Sequence, residues 1–330
     1  MLVGHLAAGR FARSATTGVT LFFVLSGFLI TTLLLEEHAR FGRIELRRFY
    51  ERRLLRLMPA LVLVLAVFGA YSIADRTVSA PIVAPAFYVA NFWLASGRSL
   101  GVFDHLWSLS MEEQFYLLWP VVLALTLRRS RRAAAVVTIA GVLISLGVGV
   151  LLAATHHEGV NWVRVRFGPD TRAHALLLGC LGAALCSSLV RTPLVRRLCV
   201  PAVAVCALAS MTSDGSWLQH LVWRPLVALA GVVLVLAMLD ERSLLTRGAS
   251  WRPLVALGRI SYGLYLWHFP IYSLVPRHVG SLPFAIRSAL LVALSLAAAT
   301  LSYRWIEQPF LRLKERLTPR GAGRPVSALN

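Results

Sequence analysis

The sequence predicts an all-α bundle of membrane-crossing helices, and three observations predict it. Residues of the AVILMFWYC set make up 57% of the 330-residue chain, and only 15% are charged. The mean hydropathy is +0.68. Apolar runs of about 20 residues recur between arginine clusters, the pattern of helices that cross ~30 Å of hydrocarbon. A water-soluble globule needs more polar surface than this, and a disordered chain fewer apolar residues. Four cysteines are too few for a disulfide scaffold; they sit in or beside apolar runs and read as small buried hydrophobes.

Nine spans are predicted, near residues 19–35, 57–74, 105–127, 133–154, 173–190, 198–212, 221–239, 253–275 and 282–306. The shorter stretch 82–95, with Pro81, Pro85 and Asn91 in or beside it, reads as a re-entrant or interfacial piece. The net charge of +19 raises the possibility of nucleic acid, but the distribution argues against it. Lys314 is the only lysine, and the arginines gather in the connections. Groups at Arg40–Arg56, Arg128–Arg132, Arg191–Arg197, Arg242–Arg252 and Arg312–Arg324 alternate with the spans, so the positive-inside rule places all five in the cytoplasm. Segment 82–95 must then not cross. The C-terminus is expected inside and Met1 outside. Residues 1–8 look like the end of an apolar helix whose beginning is missing, so the first helix is expected to be truncated. The chain is expected to form one membrane domain over 1–317, with 318–330 a disordered cytoplasmic tail.

Ionisable groups inside a bilayer span are costly and point to function. The run from His105 to Pro120 holds the main group: His105, Ser108 and Glu112 share a helix face, with Glu113 nearer the face of Ser110 and Tyr116. The alternative is an interfacial helix start capped by Asp104. In a second run, Ser261, Tyr265 and His268 share a face well inside an apolar stretch, which suits a site or helix packing equally. Arg52, Arg53 and Arg56 stand at the inner mouth of span 57–74; guanidinium forks grip phosphates, though the same charges also fix topology and touch lipid heads. His5 alone reads as a polar residue near a helix end, and Ser26-Gly27 as a point of close helix approach. Asp170 is expected to cap the next helix, with Arg172 and His174 at the interface, and Arg304 and Glu307 are expected to form an ion pair.

Taken together, these stretches resemble the membrane-bound acyltransferase-3 family of bacterial O-acyltransferases. The resemblance rests on GVTLFFVLSGFLIT (18–31), FYERRLLRLMP (49–59), HLWSLSMEEQFY (105–116), Asp170-Thr171-Arg172, LGRISYGLYLWHFP (257–270) and RWIEQP (304–309), in this order over roughly 5–310. It implies about ten helices and transfer of an acyl group, usually acetyl, from acyl-CoA as co-substrate to a hydroxyl of a carbohydrate, glycolipid or related acceptor. No permanently bound cofactor, metal or nucleic acid is expected, and the setting is the bacterial inner membrane. His5 matches the family's essential histidine, whose partner arginine would lie before Met1. Arg52, Arg53 and Arg56 match an Arg-Arg-x-x-Arg word, which strengthens their phosphate-binding reading. The expected division of labour has His5 as general base, Glu112 and His105 as orienting groups, and the three arginines on the coenzyme A phosphates. Ser26, Glu113, Tyr265 and His268 support them. The competing readings are a proton-coupled lipid or sugar transporter, or flippase, and an inactive truncated family member.

Overall fold

A computed structural model describes residues 12–155, 160–190, 192–212, 218–240, 243–279 and 281–316, and every regular element among them is a helix. His5, the chain start before Ala12 and the tail 318–330 lie outside the described residues. The long helices are α1 (Ala12–Phe41), α2 (Leu46–Ala74), α3 (Trp107–Arg129), α4 (Arg131–Thr155), α5 (Pro169–Ala184), α6 (Pro193–Met211), α7 (Arg224–Met238), α8 (Ser261–Leu274) and α9 (Phe284–Ser302).

Six helical stretches are long and apolar enough to cross a membrane: Thr16–Phe41, Leu46–Ala74, Arg131–Thr155, Pro193–Met211, Gln219–Met238 and Phe284–Leu313. They make the chain a multi-pass membrane protein. Its outward faces carry exposed apolar side chains such as Leu143, Ile144 and Leu151 on α4, which lipid rather than protein must cover. The remaining predicted spans fall short of those six for different reasons. Helix α3 has 23 residues, but Ser108, Ser110, Glu112, Glu113 and Gln114 occupy its first half. Helices α5 and α8 have only 16 and 14 residues.

Two predicted spans are therefore corrected. The stretch 253–275 is two helices, Arg252–Arg259 and Ser261–Leu274, broken at Ile260. The first of these is exposed along its whole length, and its terminal arginines and Gly258 keep it from extending the apolar run. The stretch 173–190 begins earlier, at Pro169, a residue suited to the first helical turn, and ends at Ala184. Segment 82–95 holds only the short helices Val83–Ala86 and Ala90–Ala95, each too short to cross, joined through Tyr88 at φ 54°.

The bundle's tightest seam joins α1 to α5 through glycines. A Cβ on Gly27 would strike the Leu176 carbonyl, and one on Gly179 would strike the Val24 carbonyl and lie 2.9 Å from the Phe28 nitrogen. These glycines let the two backbones approach, as in other membrane helix pairs. Helix α3 lies between two apolar clusters. One joins its Tyr116, Trp119, Leu123 and Leu127 to Ile30 and Leu34 of α1 and Phe49 of α2. The other joins its Leu109 to Ala60, Leu61 and Val64 of α2, the 84–106 connection, and Leu266 and Leu274 of α8. So the polar first half of α3 is enclosed by α1, α2 and α8, and it is there that the ionisable groups meet.

Candidate functional site

The end of α1, the turn after it and the start of α2 enclose a cavity of about 380 Å³. Arg40, Arg43, Arg48, Arg52, Arg53 and Arg56 line it against three carboxylates, Glu36, Glu37 and Glu45. Glu37 stabilises the turn: its carboxylate accepts the Glu45 amide at 3.0 Å and pairs with Arg52 at 3.5 Å. The far wall is apolar, built from Ile30, Leu33, Leu34 and Phe49. Along α1, Phe41 to Ile30 covers eleven residues, about 16 Å. The cavity thus grades from a basic mouth to an apolar throat, and it carries a surplus of positive charge suited to a polyanion.

Arg53 lines this cavity and reaches from α2 to α3. Its Nη2 donates to Glu113 Oε1 at 3.0 Å, and its guanidinium lies 3.2 Å from the centroid of the Tyr116 ring. Both members of the ion pair are largely enclosed, at 16% and 14% side-chain exposure. In such surroundings each charge depends on the other, because either alone would be a buried ion. Tyr116 continues the network inward. Its hydroxyl and that of Ser26 both contact Glu112 and each other, and all three residues are buried. Tyr116 lies one helical turn beyond Glu112, so both point to the same side of α3. That corrects the expectation that Glu113, rather than Glu112, lies nearest Tyr116; Glu113 turns to Arg53. The network Arg53–Glu113/Tyr116–Glu112–Ser26 joins α2, α3 and α1.

A second group lies one to two turns back along α3. Gly101, at φ 59°, opens a tight turn of residues Gly101–Leu106 in a position where a Cβ would strike the Ser79 carbonyl. Asp104 fastens this turn by accepting the Leu100 amide at 2.6 Å, so it does not cap α3. His105 belongs to this turn rather than to α3. Its ring stacks on Phe269 at 5.0 Å and meets the edge of His268 at 5.4 Å. The Tyr265 hydroxyl donates to the His105 carbonyl and lies 2.9 Å from Ser108 Oγ. His268 donates from Nδ1 to the Tyr265 carbonyl at 2.7 Å, which leaves its lone pair on Nε2 when neutral. Tyr265 and His268 thus brace His105, and Ser108 ties the group to the helix that bears Glu112.

The structure therefore gathers Arg52, Arg53 and Arg56 around one cavity. It joins Arg53, Glu113, Glu112 and Ser26 through Tyr116, and joins His105, Tyr265 and His268 in a neighbouring group. Other expectations are corrected. Arg172 and His174 are not interfacial but buried, at 2% and 3% exposure. Arg172 lies 5.3 Å from the Trp107 ring and 5.8 Å from that of Phe23, because the close α1–α5 seam draws it under α1. Asp170 does not cap α5, whose N-cap is Gly168; it forms a two-pronged pair with Arg164, both contacts at 2.7 Å. Arg304 and Glu307 do not pair: Arg304 is exposed, while Glu307 is buried with Ser302 Oγ at 3.4 Å. A helical turn widened over Tyr303–Glu307 separates the two side chains.

Sequence reasoning missed three features. Tyr116 was legible only as the residue one turn after Glu112. His220 and Arg224, both buried, lie at the start of predicted span 221–239 and were not singled out, although their i, i+4 spacing marks one helix face. Asn91 and Gln114 form a reciprocal amide pair, with contacts of 2.8 and 3.4 Å, that ties segment 82–95 to α3.

A family model described as an acyltransferase domain matches residues 3–304, nearly the full set of helices just described. The chain belongs to the acyltransferase-3 family. Its membrane helices are an acyltransferase domain of that family. It is 33% identical over 324 residues to the peptidoglycan O-acetyltransferase OatA of Listeria monocytogenes, a match covering 90% of this chain and 51% of that protein. It is 30% identical over 334 residues to the O-acetyltransferase OatA of Staphylococcus aureus, covering 94% of this chain and 54% of the relative. A putative O-acetyltransferase of Staphylococcus aureus is 32% identical, covering 89% and 52%. The chain spans about half the length of the curated relatives it matches. No solved structure matches it.

Proposed function

We propose that this chain transfers an acyl group, acetyl in the first instance, from a coenzyme A thioester to a hydroxyl of a carbohydrate or glycolipid at the bacterial inner membrane. The observation that carries the proposal is the arginine-lined cavity with its apolar wall, joined through Arg53 and Tyr116 to the enclosed Glu112–Tyr116–Ser26 contact. By the positive-inside rule the mouth of this cavity, and the C-terminus, face the cytoplasm, where acyl-CoA is made. Arg40, Arg43, Arg48, Arg52 and Arg56 hold phosphates at the mouth. The thioester arm runs along Ile30, Leu34 and Phe49 to Arg53.

In the transfer, the acceptor oxygen attacks the thioester carbonyl, the C–S bond breaks as the C–O bond forms, and the coenzyme A thiolate leaves. His5 takes the hydroxyl proton as general base, a role worth about 10²–10⁴ in rate. Glu112, held by the Ser26 and Tyr116 hydroxyls, orients the base or the acceptor. Arg53 offsets the charge that develops beside it. His105, braced by Tyr265 and His268, fixes the start of α3 and so the placement of Glu112.

The rival transporter reading draws on the buried Arg172, His174, His220 and Arg224. Purified protein given labelled acetyl-CoA and extracted glycan or glycolipid separates the two. Label transfer that is lost in His5→Ala supports the enzyme. Movement of the acceptor across vesicles without thioester turnover supports the transporter and overturns this reading. Neither turnover nor movement supports the inactive-member reading.

A further inference from the structure

Arg53 lines a second cavity as well. This one, of about 310 Å³, lies between α2, α3 and the folded-back segment 82–95. Its inner wall is polar and aromatic: Glu113, Gln114, Tyr88 and Tyr116. Its rim is apolar and exposed: Leu54, Leu117 and Phe87 at 57%, 61% and 75%. Leu117 stands ten residues into α3, about 15 Å along it, next to Leu118, which is exposed likewise. Bordered by these exposed apolar side chains, the mouth opens sideways, towards lipid.

The wall formed by segment 82–95 is held in a costly conformation. Tyr88 adopts φ 54°, sparsely populated for a bulky residue. Gln114 fastens it by donating to the Tyr88 carbonyl at 2.7 Å while pairing with Asn91. Strain kept by specific hydrogen bonds marks places where a fold serves a ligand. A side-opening cavity in lipid admits only what already dissolves in the bilayer. Its interior nevertheless offers a carboxylate, an amide and aromatic rings, the lining that hydroxyl-rich ligands favour.

We infer that this cavity is the acceptor subsite and that it takes a lipid-linked carbohydrate from the bilayer, with the alkyl chain at Leu54, Phe87 and Leu117 and the hydroxyls turned to Glu113 and Gln114. The inference rests on the acyl-transfer reading above. It adds the subsite and the route, and narrows the acceptor to its lipid-linked form: the donor rises through one cavity, the acceptor enters through the other, and Arg53 borders both.

The test is photolabelling in phosphatidylethanolamine–phosphatidylglycerol nanodiscs with a diazirine-bearing dodecyl maltoside at low mole fraction. Label is expected at Leu54, Phe87 and Leu117, with unlabelled dodecyl maltoside protecting, and neither free maltose nor extra phosphatidylglycerol doing so. Leu117→Trp, which fills the mouth, should cut that label about tenfold. Leu117→Ala, which widens it, should keep the label and separates blockage from misfolding, and Leu143→Trp on the lipid-facing side of α4 should change nothing. Label spread evenly over the apolar surface, insensitivity to Leu117→Trp, or displacement by free maltose or phosphatidylglycerol would overturn the inference. Labelling needs no turnover, so failure of the acyl-transfer reading would appear separately, as intact labelling without transfer from acetyl-CoA.

Discussion

Two polar groups flank the first half of α3, and they are built differently. The group of Arg53, Glu113, Tyr116, Glu112 and Ser26 borders two cavities and contains a largely enclosed ion pair. The group of His105, Tyr265, His268 and Ser108 is packed ring against ring, with hydroxyl and imidazole hydrogen bonds turned onto backbone carbonyls. Both contain residue types that catalyse. Access sets the first apart: chemistry needs room for substrate, and two cavities border that group. The second has the makeup of a brace, with rings packed against one another. Conserving charge matters most in the first group, and conserving shape in the second.

This contrast orders the expected effects of substitution. Arg53→Gln should be the most damaging, because it strands Glu113 as a buried charge, costing about 3–5 kcal/mol, and removes a cation that lines both cavities. Transfer from labelled acetyl-CoA should fall at least ~10³-fold, with Arg53→Lys recovering only part of it because a point charge cannot replace the stacked fork. Glu112→Gln keeps the shape and removes the charge; kcat should fall ~10²-fold with the KM for acetyl-CoA nearly unchanged. His105→Gln loosens the brace without touching the cavities, so a drop in kcat of about tenfold is expected. A loss as deep as that of Glu112→Gln would erase the distinction between the two groups. Arg40→Gln, at the exposed mouth, should raise the KM for acetyl-CoA only a few-fold in low salt, and the difference should shrink above ~0.3 M salt, where screening is short-ranged.

Much of the fold was legible because membrane helices announce themselves through long apolar runs, and the arginine clusters divide them. Where that signal failed, a polar or broken helix was the cause. Residues 252–259 look apolar enough to extend span 253–275, yet they form a separate exposed helix because charge sits at both ends. The site was legible in part. Glu112, Glu113 and the arginines stood out as charges beside or inside apolar runs, and Ser26 entered through a short word of sequence. That Arg53 reaches Glu113 was not legible: it depends on the register of α2 against α3, which no local pattern encodes. The burial of Arg172 and His174 was hidden likewise, since it follows from the glycine seam between α1 and α5. That seam also makes a stability prediction. Gly179→Val should destabilise the folded protein by about 1–3 kcal/mol through overpacking, visible as a lower melting temperature in detergent.

Cross-linking with an acetyl-CoA analogue carrying a photoreactive acyl arm would show where the reacting end of the donor comes to rest. Adducts at Ile30, Leu34 or Tyr116, prevented by excess coenzyme A and lost on Arg52→Gln, are the outcome this account requires. Adducts confined to Phe269 and the His105 turn, or adducts indifferent to coenzyme A, would mean that the arginine cavity does not deliver the acyl group to Glu112.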